Sequence, residues 1–271
     1  MPVTFTAAGL LGHAWFARFR GHAWATVRLA APVVVARAGF LVLVTADTVM
    51  TGHAGADQLA YLGIAYALQM ALLLLGTGLL QGTAVLVAQA DGAREAHLCG
   101  GIWRIGVVHA LGLGALAALF CFYGEGFLRA IGQAPALAAG GGAVLRMFAW
   151  SMPPMLVYVA TTAFLEAIRR PGPGMVVMLL ANLLNVGLNW LFIYGHAGLP
   201  ALGAEGAALA TGIVRLAAML ALVGYALLMQ AAPHYGVLAP IEHPAALARQ
   251  LRRIGYPIGL AQALETTAFM T

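Results

Sequence analysis

LAAPVVVARAGFLVLVTADTVM, residues 29–50, is the stretch that decides the fold, because it is long and apolar enough to cross a membrane. A helix needs roughly 20 predominantly apolar residues to span a hydrocarbon core about 30 Å thick. Asp47 is the only acidic residue of this stretch. A carboxylate in the middle of such a helix costs at least ~2.5–3.5 kcal/mol, so acids of this kind are rare and functional by default. The stretch therefore predicts a membrane helix with a functional site at Asp47.

The composition of the whole chain also indicates a membrane protein. Hydrophobic residues make up 62% of the 271 residues, charged residues 8%, and the mean hydropathy is +0.89. A water-soluble domain of this composition would lack the polar surface that covers a core. A barrel would show short alternating strands, whereas these apolar runs are long and continuous. We therefore predict an all-α, polytopic membrane helix bundle with six transmembrane helices plus the start of a seventh, near residues 27–51, 59–84, 102–124, 141–167, 174–195 and 205–230, and from Ile254 to Thr271.

The arginines predict the orientation of the bundle. Loops on one side hold ten arginines, those on the other side hold only Arg129, and three more lie inside spans. Basic residues concentrate in cytoplasmic loops, so the N-terminus is expected in the cytoplasm. The net charge of +5 then indicates topology and contact with anionic lipid headgroups rather than a nucleic-acid surface, since the arginines are divided among four loops.

The residue types that are missing argue against an enzyme. The sequence contains no lysine, which excludes a Schiff base with retinal and lysine catalysis. Its one serine, Ser151, lacks the glycines of a nucleophile elbow. No His-Glu-x-x-His zinc motif or phosphate-binding glycine loop is present. Cys99 and Cys121 would lie about 33 Å apart on one helix, which excludes a disulfide between them. We expect no enzyme activity, no metal site other than a Na⁺ site at Asp47, and no cofactor.

Three asparagines of the fifth predicted span provide candidate partners for Asp47. Asn182, Asn185 and Asn189 are spaced i, i+3 and i+7, so they share one helical face. Asn185 and Asn189 would lie roughly 17–22 Å from the cytoplasmic end and Asp47 roughly 28 Å, all in the outer half of the membrane. Such a group can hold a small cation or a proton, and Thr211 could add a hydroxyl. The alternative is that the amides only join helices.

The remaining polar residues and prolines of the spans allow simpler interpretations. Glu166 is three residues before Arg169, which favours a local ion pair. Arg37 is ten residues before Asp47, too far along one helix to pair with it, and is expected to snorkel or to meet a neighbouring helix. Pro32, Pro153 and Pro154 are expected to bend their helices.

A short internal repeat suggests a second lobe. RLAAPV at residues 28–33 and RIGYPI at residues 253–258 match in their arginine, aliphatic and proline positions, at an offset of 225 residues. Six spans return the chain to the cytoplasm, so the second unit would be a parallel repeat of the first, a plan found in transporters. On this offset Thr271 corresponds to Ala46, the residue before Asp47.

From about residue 21 onward the sequence resembles the multidrug and toxic compound extrusion (MATE) transporters, in particular the NorM-like branch. The similarity is carried by RLAAPV and ADTVMTG in the first span, by RRPGPGM from Arg169, by GYPIGL from Gly255, and above all by NLLNVGLNWLFIYG at residues 182–195. The resemblance implies a fold of twelve helices in two six-helix lobes. It also implies antiport of H⁺ or Na⁺ against cationic or amphipathic compounds in the bacterial inner membrane.

The resemblance also assigns residue roles and domain boundaries. Asp47 would be the coupling acid of the N-terminal lobe, assisted by Asn185 and Asn189, and Pro32 would lie where the first helix bends. Glu265, in LETTAF, matches a glutamate that serves the cation site of the C-terminal lobe. The expected organisation is an interfacial N-terminal segment (1–25), the six-helix lobe (26–230), a cytoplasmic linker (231–253) and a truncated first helix of the C-terminal lobe (254–271).

The functional hypothesis is a multidrug efflux antiporter of which this chain forms one half. The chain is expected to be inactive alone, because two lobes that move about a site near the midplane are needed for alternating access. It could be a truncated gene product, a fragment of a longer protein, or a half-transporter that pairs. The alternatives to efflux are a lipid-linked sugar flippase of the same superfamily and a membrane remnant without transport activity.

Overall fold

The structure is a computed structural model that describes the backbone of residues 7–241 and 243–270, and the side chains of residues 24, 26–241 and 243–262. Within these residues the ordered elements are helices, joined by short loops and one 3₁₀ turn at Ala96–Leu98. The α-helices are α1 (Ala7–Ala54), α2 (Ala56–Gly92), α3 (Cys99–Phe122), α4 (Gly124–Ala130), α5 (Pro135–Ala149), α6 (Met152–Ala167), α7 (Gly172–Tyr194), α8 (Ala204–Leu228) and α9 (Pro244–Met270).

The six complete spans predicted from apolar runs are present, with boundary differences at several helices; α1 begins at Ala7, twenty residues before the predicted start of the first span. In the described residues, five helices are long and apolar enough to cross a membrane, and the pair α5 and α6 makes a sixth span. Helix α2 continues to Gly92, and α9 begins at Pro244, ten residues before Ile254. Both extensions are more polar than the spans, so hydropathy alone underestimates the helices. The chain is a multi-pass membrane protein.

The bend expected at Pro153 and Pro154 is present, as a break that divides the fourth span into two helices. The span consists of α5 and α6, which meet at an angle of 52°. The break lies at Trp150 and Ser151, directly before Pro153 in the first turn of α6. A proline has no backbone N–H and clashes with the preceding turn, so it fits the start of a helix better than its interior. The Ser151 hydroxyl donates a hydrogen bond to the Phe148 carbonyl (2.8 Å), which satisfies an acceptor at the end of α5.

Glycines set the close approach of the helices that position the site. A Cβ added at Gly39 of α1 would lie 2.6 Å from Cγ of Met178 on α7, so these helices pack closely there. Helices α2 and α9 meet at Gly78 and Gly82 of α2 and Gly255 and Gly259 of α9. Small residues at such positions let backbones pack closely in a membrane, where apolar surface alone gives no driving force.

The two ends of the bundle can be distinguished by their loop contacts. At one end, the backbone N–H of Gly100 donates to the Tyr235 carbonyl (2.7 Å), which joins the start of α3 to the loop after α8. At the other end, the Gln58 side chain accepts a hydrogen bond from the Ala204 N–H (2.8 Å), which joins the starts of α2 and α8. Successive spans therefore run in opposite directions.

Candidate functional site

The carboxylate of Asp47 is fully buried and accepts hydrogen bonds from four side chains. Its Oδ1 accepts from Nδ2 of Asn185 (3.0 Å) and Nδ2 of Asn189 (2.6 Å). Its Oδ2 accepts from the Thr211 hydroxyl (2.5 Å) and from the Tyr66 hydroxyl. A buried carboxylate is costly unless its lone pairs are satisfied, and here four donors meet that requirement.

Four helices contribute to this cluster. Asp47 lies on α1, Tyr66 on α2, Asn185 and Asn189 on α7, and Thr211 on α8. The two asparagines lie one helical turn apart, and Nδ2 of Asn189 also donates to Oδ1 of Asn185 (3.1 Å). Any change in the charge or protonation of Asp47 therefore alters contacts among α1, α2, α7 and α8 at once.

The structure brings together four of the residues singled out from the sequence: Asp47, Asn185, Asn189 and Thr211. Their role in cation coupling stays a prediction. Asn182 is not part of the cluster; its Nδ2 donates to the Met178 carbonyl of its own helix (2.8 Å). Pro32 lies inside α1, and Glu265 lies outside the residues whose side chains the structure describes.

Tyr66 was missed by the sequence analysis. The α2 sequence places it among apolar residues, and no spacing within one helix shows which helix will pack against Asp47. Its ring lies 5.4 Å from that of Phe148 between centroids, which holds the hydroxyl toward the centre of the bundle. A membrane-buried tyrosine needs a hydrogen-bond partner for its hydroxyl, and that requirement is the one signal that could have identified it.

A second polar layer lies next to the first and contains Arg215. The guanidinium of Arg215 is 5% exposed, donates to the Ser151 hydroxyl (3.2 Å) and lies 5.3 Å from the centre of the Phe148 ring. With its amide oxygen turned toward Arg215, Gln69 accepts from both terminal nitrogens. Arg215 follows Thr211 by one turn on α8, just as Gln69 follows Tyr66 on α2. Among the described residues, Asp47 and Arg215 are the two charged side chains that are buried.

A cavity of about 670 Å³ lies one to two helical turns from the cluster along α2 and α7. Helices α1, α2, α6, α7 and α9 line it, with Phe40, Met70, Met155, Tyr158 and Met178 among the lining residues. Met70 follows Tyr66 by one turn on α2, and Met178 precedes Asn185 by two turns on α7. Helices α1, α2 and α7 therefore contribute to both the Asp47 cluster and the cavity.

Arg37 and Glu166 are the charged residues among the described lining of this cavity, and Glu166 has a different partner from the one expected. Glu166 pairs with Arg37 of α1 at 3.9 Å between Oε2 and Nη2, instead of with Arg169. Helices α1 and α6 pack close enough for Glu166 to reach Arg37, although Arg169 is only three residues away in the sequence. Arg37 meets a neighbouring helix, which was one of the two outcomes expected for it.

No group of three or more His, Cys, Asp or Glu side chains suited to a metal ion occurs in the described part of the chain. One oxygen of the cluster, Oδ1 of Asn189, is buried and has no hydrogen-bond partner. A hard cation such as Na⁺ takes oxygen ligands, so this atom and the Asp47 carboxylate are suitable ligands for one.

Comparisons with known proteins agree with this architecture. The MatE family model matches residues 32–191. A protein of Caulobacter vibrioides named "Probable multidrug resistance protein NorM" is 40% identical over 245 residues, which are 90% of this chain and 52% of the relative. The "Multidrug resistance protein NorM" of Vibrio cholerae is 29% identical over 93% of this chain and 55% of its own length.

Solved structures show the same fold. An outward-facing multidrug resistance transporter of the MATE family matches with a TM-score of 0.81 at 21% identity, over 91% of this chain and 54% of its own. A eukaryotic MATE transporter matches with a TM-score of 0.82 at 20% identity over the same shares. The chain spans about half the length of the curated relatives it matches.

Proposed function

The chain belongs to the MatE family, and from this premise we propose that it forms one lobe of a multidrug efflux antiporter that exchanges H⁺ or Na⁺ for cationic or amphipathic compounds. The observation that carries the proposal is the buried Asp47 carboxylate, hydrogen-bonded to residues of three other helices, beside a cavity that shares three of the four helices. Such a carboxylate can bind a cation reversibly, and the cavity is large enough for an organic molecule of several rings.

Proton binding would rearrange the whole cluster. The carboxylate accepts four hydrogen bonds, whereas a carboxylic acid must donate one. The hydroxyl of Tyr66 or Thr211 would have to become an acceptor, or one of the amides would have to rotate. Because the four donors lie on three helices other than α1, protonation alters the packing of α1 against all three. That change reaches the cavity through the helices that both sites share.

Na⁺ binding is the other form of the proposal. Asn189 has an unpartnered buried oxygen, and the hydroxyl oxygens of Tyr66 and Thr211 lie at the same carboxylate. Na⁺ would take the place of the hydrogen-bond donors around Asp47, so the amides would have to turn their oxygens toward it. In both forms the cation lowers the negative charge beside the cavity, which weakens the binding of a cationic substrate. This difference in affinity is the coupling free energy that an antiporter needs.

The proposal includes an orientation and a partner. The lobe would lie in the bacterial inner membrane with its N-terminus in the cytoplasm and Asp47 in the outer half, so that the coupling cation arrives from outside. A second lobe, on the same polypeptide or another, would complete the transport path, because alternating access needs two lobes that move against each other. We propose no enzyme activity and no cofactor other than the coupling cation.

Replacement of Asp47 by asparagine tests the function. In proteoliposomes that hold this lobe paired with a second lobe, Asp47→Asn should abolish ethidium transport driven by a proton or Na⁺ gradient, because an amide cannot exchange a charge. Imposing the two gradients separately would identify the coupling ion. Asp57→Asn, an equal change on the exposed start of α2, is the matched control and should transport normally. Gradient-driven transport by Asp47→Asn at the wild-type rate would refute the proposal.

A further inference from the structure

We propose that Glu166 is the cation-binding residue of the cavity and that Arg37 is a tethered cation which competes with the substrate for it. This inference rests on the proposed function, since it concerns how that function recognises and releases its substrate. It assigns a role to the charged pair found among the described lining residues, a pair that the Asp47 cluster does not use.

The described residues that line the cavity are mostly apolar and include one acid. Its wall includes an aromatic ring from Phe40 and another from Tyr158, and three methionines. Methionines adapt to ligands of different shape, and aromatic rings attract cations. Among the described lining residues, Glu166 is the one carboxylate. An amphipathic organic cation would therefore place its apolar part on the wall and its charge at Glu166.

The geometry of the ion pair favours exchange of partners. The distance of 3.9 Å between Arg37 and Glu166 is long for a charge-assisted hydrogen bond, which is shorter by about 1 Å. The side chain of Arg37 is 64% exposed, whereas that of Glu166 is 25% exposed. The Arg37 guanidinium is therefore not enclosed by the bundle, and its long side chain can move away from Glu166 toward the membrane interface. Glu166 stays at the cavity, where an unpaired carboxylate would be unfavourable.

Arg37 stabilises the cavity when no substrate is bound, because it then pairs with the Glu166 carboxylate. When the substrate is bound, its positive charge pairs with Glu166 and Arg37 is released. When the substrate leaves, Arg37 returns and no carboxylate remains unpaired. The tethered arginine therefore lowers the affinity for the substrate but assists its release, as a transporter requires.

Helix α1 connects this competition to the coupling site. Arg37 and Asp47 lie on the same helix, ten residues or about 15 Å apart. Cation binding at Asp47 changes the packing of α1 against α2, α7 and α8. A shift of α1 that brings Arg37 closer to Glu166 would expel the substrate. The coupling cation and the substrate would then exclude each other through one rigid element.

A double-mutant cycle tests the competition by direct binding. Ethidium, a rigid aromatic cation, would be titrated against the 271-residue chain in detergent, with fluorescence anisotropy as the readout. Glu166→Gln should weaken binding about tenfold, and Arg37→Gln should strengthen it about three- to tenfold. The double variant should bind like Glu166→Gln, because Arg37 acts only through the carboxylate. A neutral dye, Nile red, should bind all four proteins with equal affinity.

A charge-control variant keeps the test decisive. Arg94→Gln removes an exposed arginine from the loop after α2 and should leave ethidium affinity unchanged, which excludes a general effect of net charge. If Glu166→Gln does not fold, Arg37→Gln alone remains informative, since its side chain is exposed and its predicted effect is a gain of affinity.

The outcomes separate this inference from the proposed function. Equal ethidium affinity in the wild type and Arg37→Gln, or additive effects in the double variant, would overturn the competition whatever Asp47→Asn does to transport. Conversely, transport that survives Asp47→Asn would overturn the antiport mechanism while a positive binding cycle would still assign cation binding to Glu166.

Discussion

Asp47 and Arg215 are opposite charges that share the interior of one helix bundle. Tyr66 and Thr211 contact the acid, Gln69 and Ser151 contact the base, and so neutral polar groups separate the two charges. Burying either charge alone would be strongly unfavourable, and attraction is stronger in the low dielectric of the interior. We expect each charge to lower the cost of burying the other even though they are not in direct contact.

This compensation can be measured as a coupling of stabilities. Arg215→Met should lower the thermal unfolding midpoint of the detergent-solubilised chain, because it leaves the Asp47 carboxylate as the only buried charge among the described side chains. The double variant Asp47→Asn/Arg215→Met should be more stable than the sum of the single effects predicts, by on the order of 1–3 kcal/mol. Arg94→Met, which removes an exposed arginine from the loop after α2, is the control and should show no coupling to Asp47→Asn. Strict additivity at Asp47 and Arg215 would show that the two charges do not compensate each other.

At the residue scale, the sequence singled out four of the five residues of the Asp47 cluster. Asp47 could be found because a lone acid in an apolar helix is costly, and Asn185 and Asn189 because they share one helical face and lie in the same half of the membrane. Thr211 was singled out only as a possible further hydroxyl. Tyr66 was not identified, because its distance to Asp47 depends on how α1 packs against α2. The ion pair predicted between Glu166 and Arg169 was wrong for the same reason. A separation of three residues does not show that α1 packs against α6 and brings Arg37 to Glu166.

At the scale of elements, helix boundaries and contacts depend on prolines and glycines more than on hydropathy. The apolar run of the fourth span is continuous, but α5 ends where Ser151 and Pro153 begin the next helix. The resemblance to transporters carried the expected twelve-helix plan, of which the structure shows the first six spans. The resemblance could not show which glycines form contacts between helices.

The contact between α2 and α9 is the clearest case. A Cβ at Gly82 would lie 2.5 Å from the Leu251 carbonyl oxygen, so a larger side chain must push α9 away. Gly82→Val should therefore lower the thermal unfolding midpoint and expose α9 to protease. Gly63→Val is the matched control on the same helix, because nothing lies within 4 Å of its Cβ position. Equal stability of the two variants would mean that α9 does not pack on α2 in the membrane.

At the scale of the whole molecule, the direction of transport depends on which end of the bundle faces the cytoplasm. Arg94, Arg169 and Arg170 lie at the end where the start of α3 meets the loop after α8, and Arg129 lies at the opposite end. The excess of arginine at the first end predicts that it is cytoplasmic. With that orientation the Asp47 cluster is in the outer half of the membrane, and the Arg37–Glu166 pair is nearer the cytoplasm.

Labelling with a thiol reagent that cannot cross membranes decides the orientation. Ala134→Cys, in the exposed loop between α4 and α5, should react in intact spheroplasts, whereas Ala93→Cys, in the exposed loop after α2, should react only after permeabilisation. Native Cys99 and Cys121 are fully buried, so the wild type supplies a low background. The opposite pattern would place Asp47 in the cytoplasmic half, where an inward ion gradient could not load it from outside. The order of events proposed above, cation from outside and substrate from the cytoplasm, would then have to be reversed.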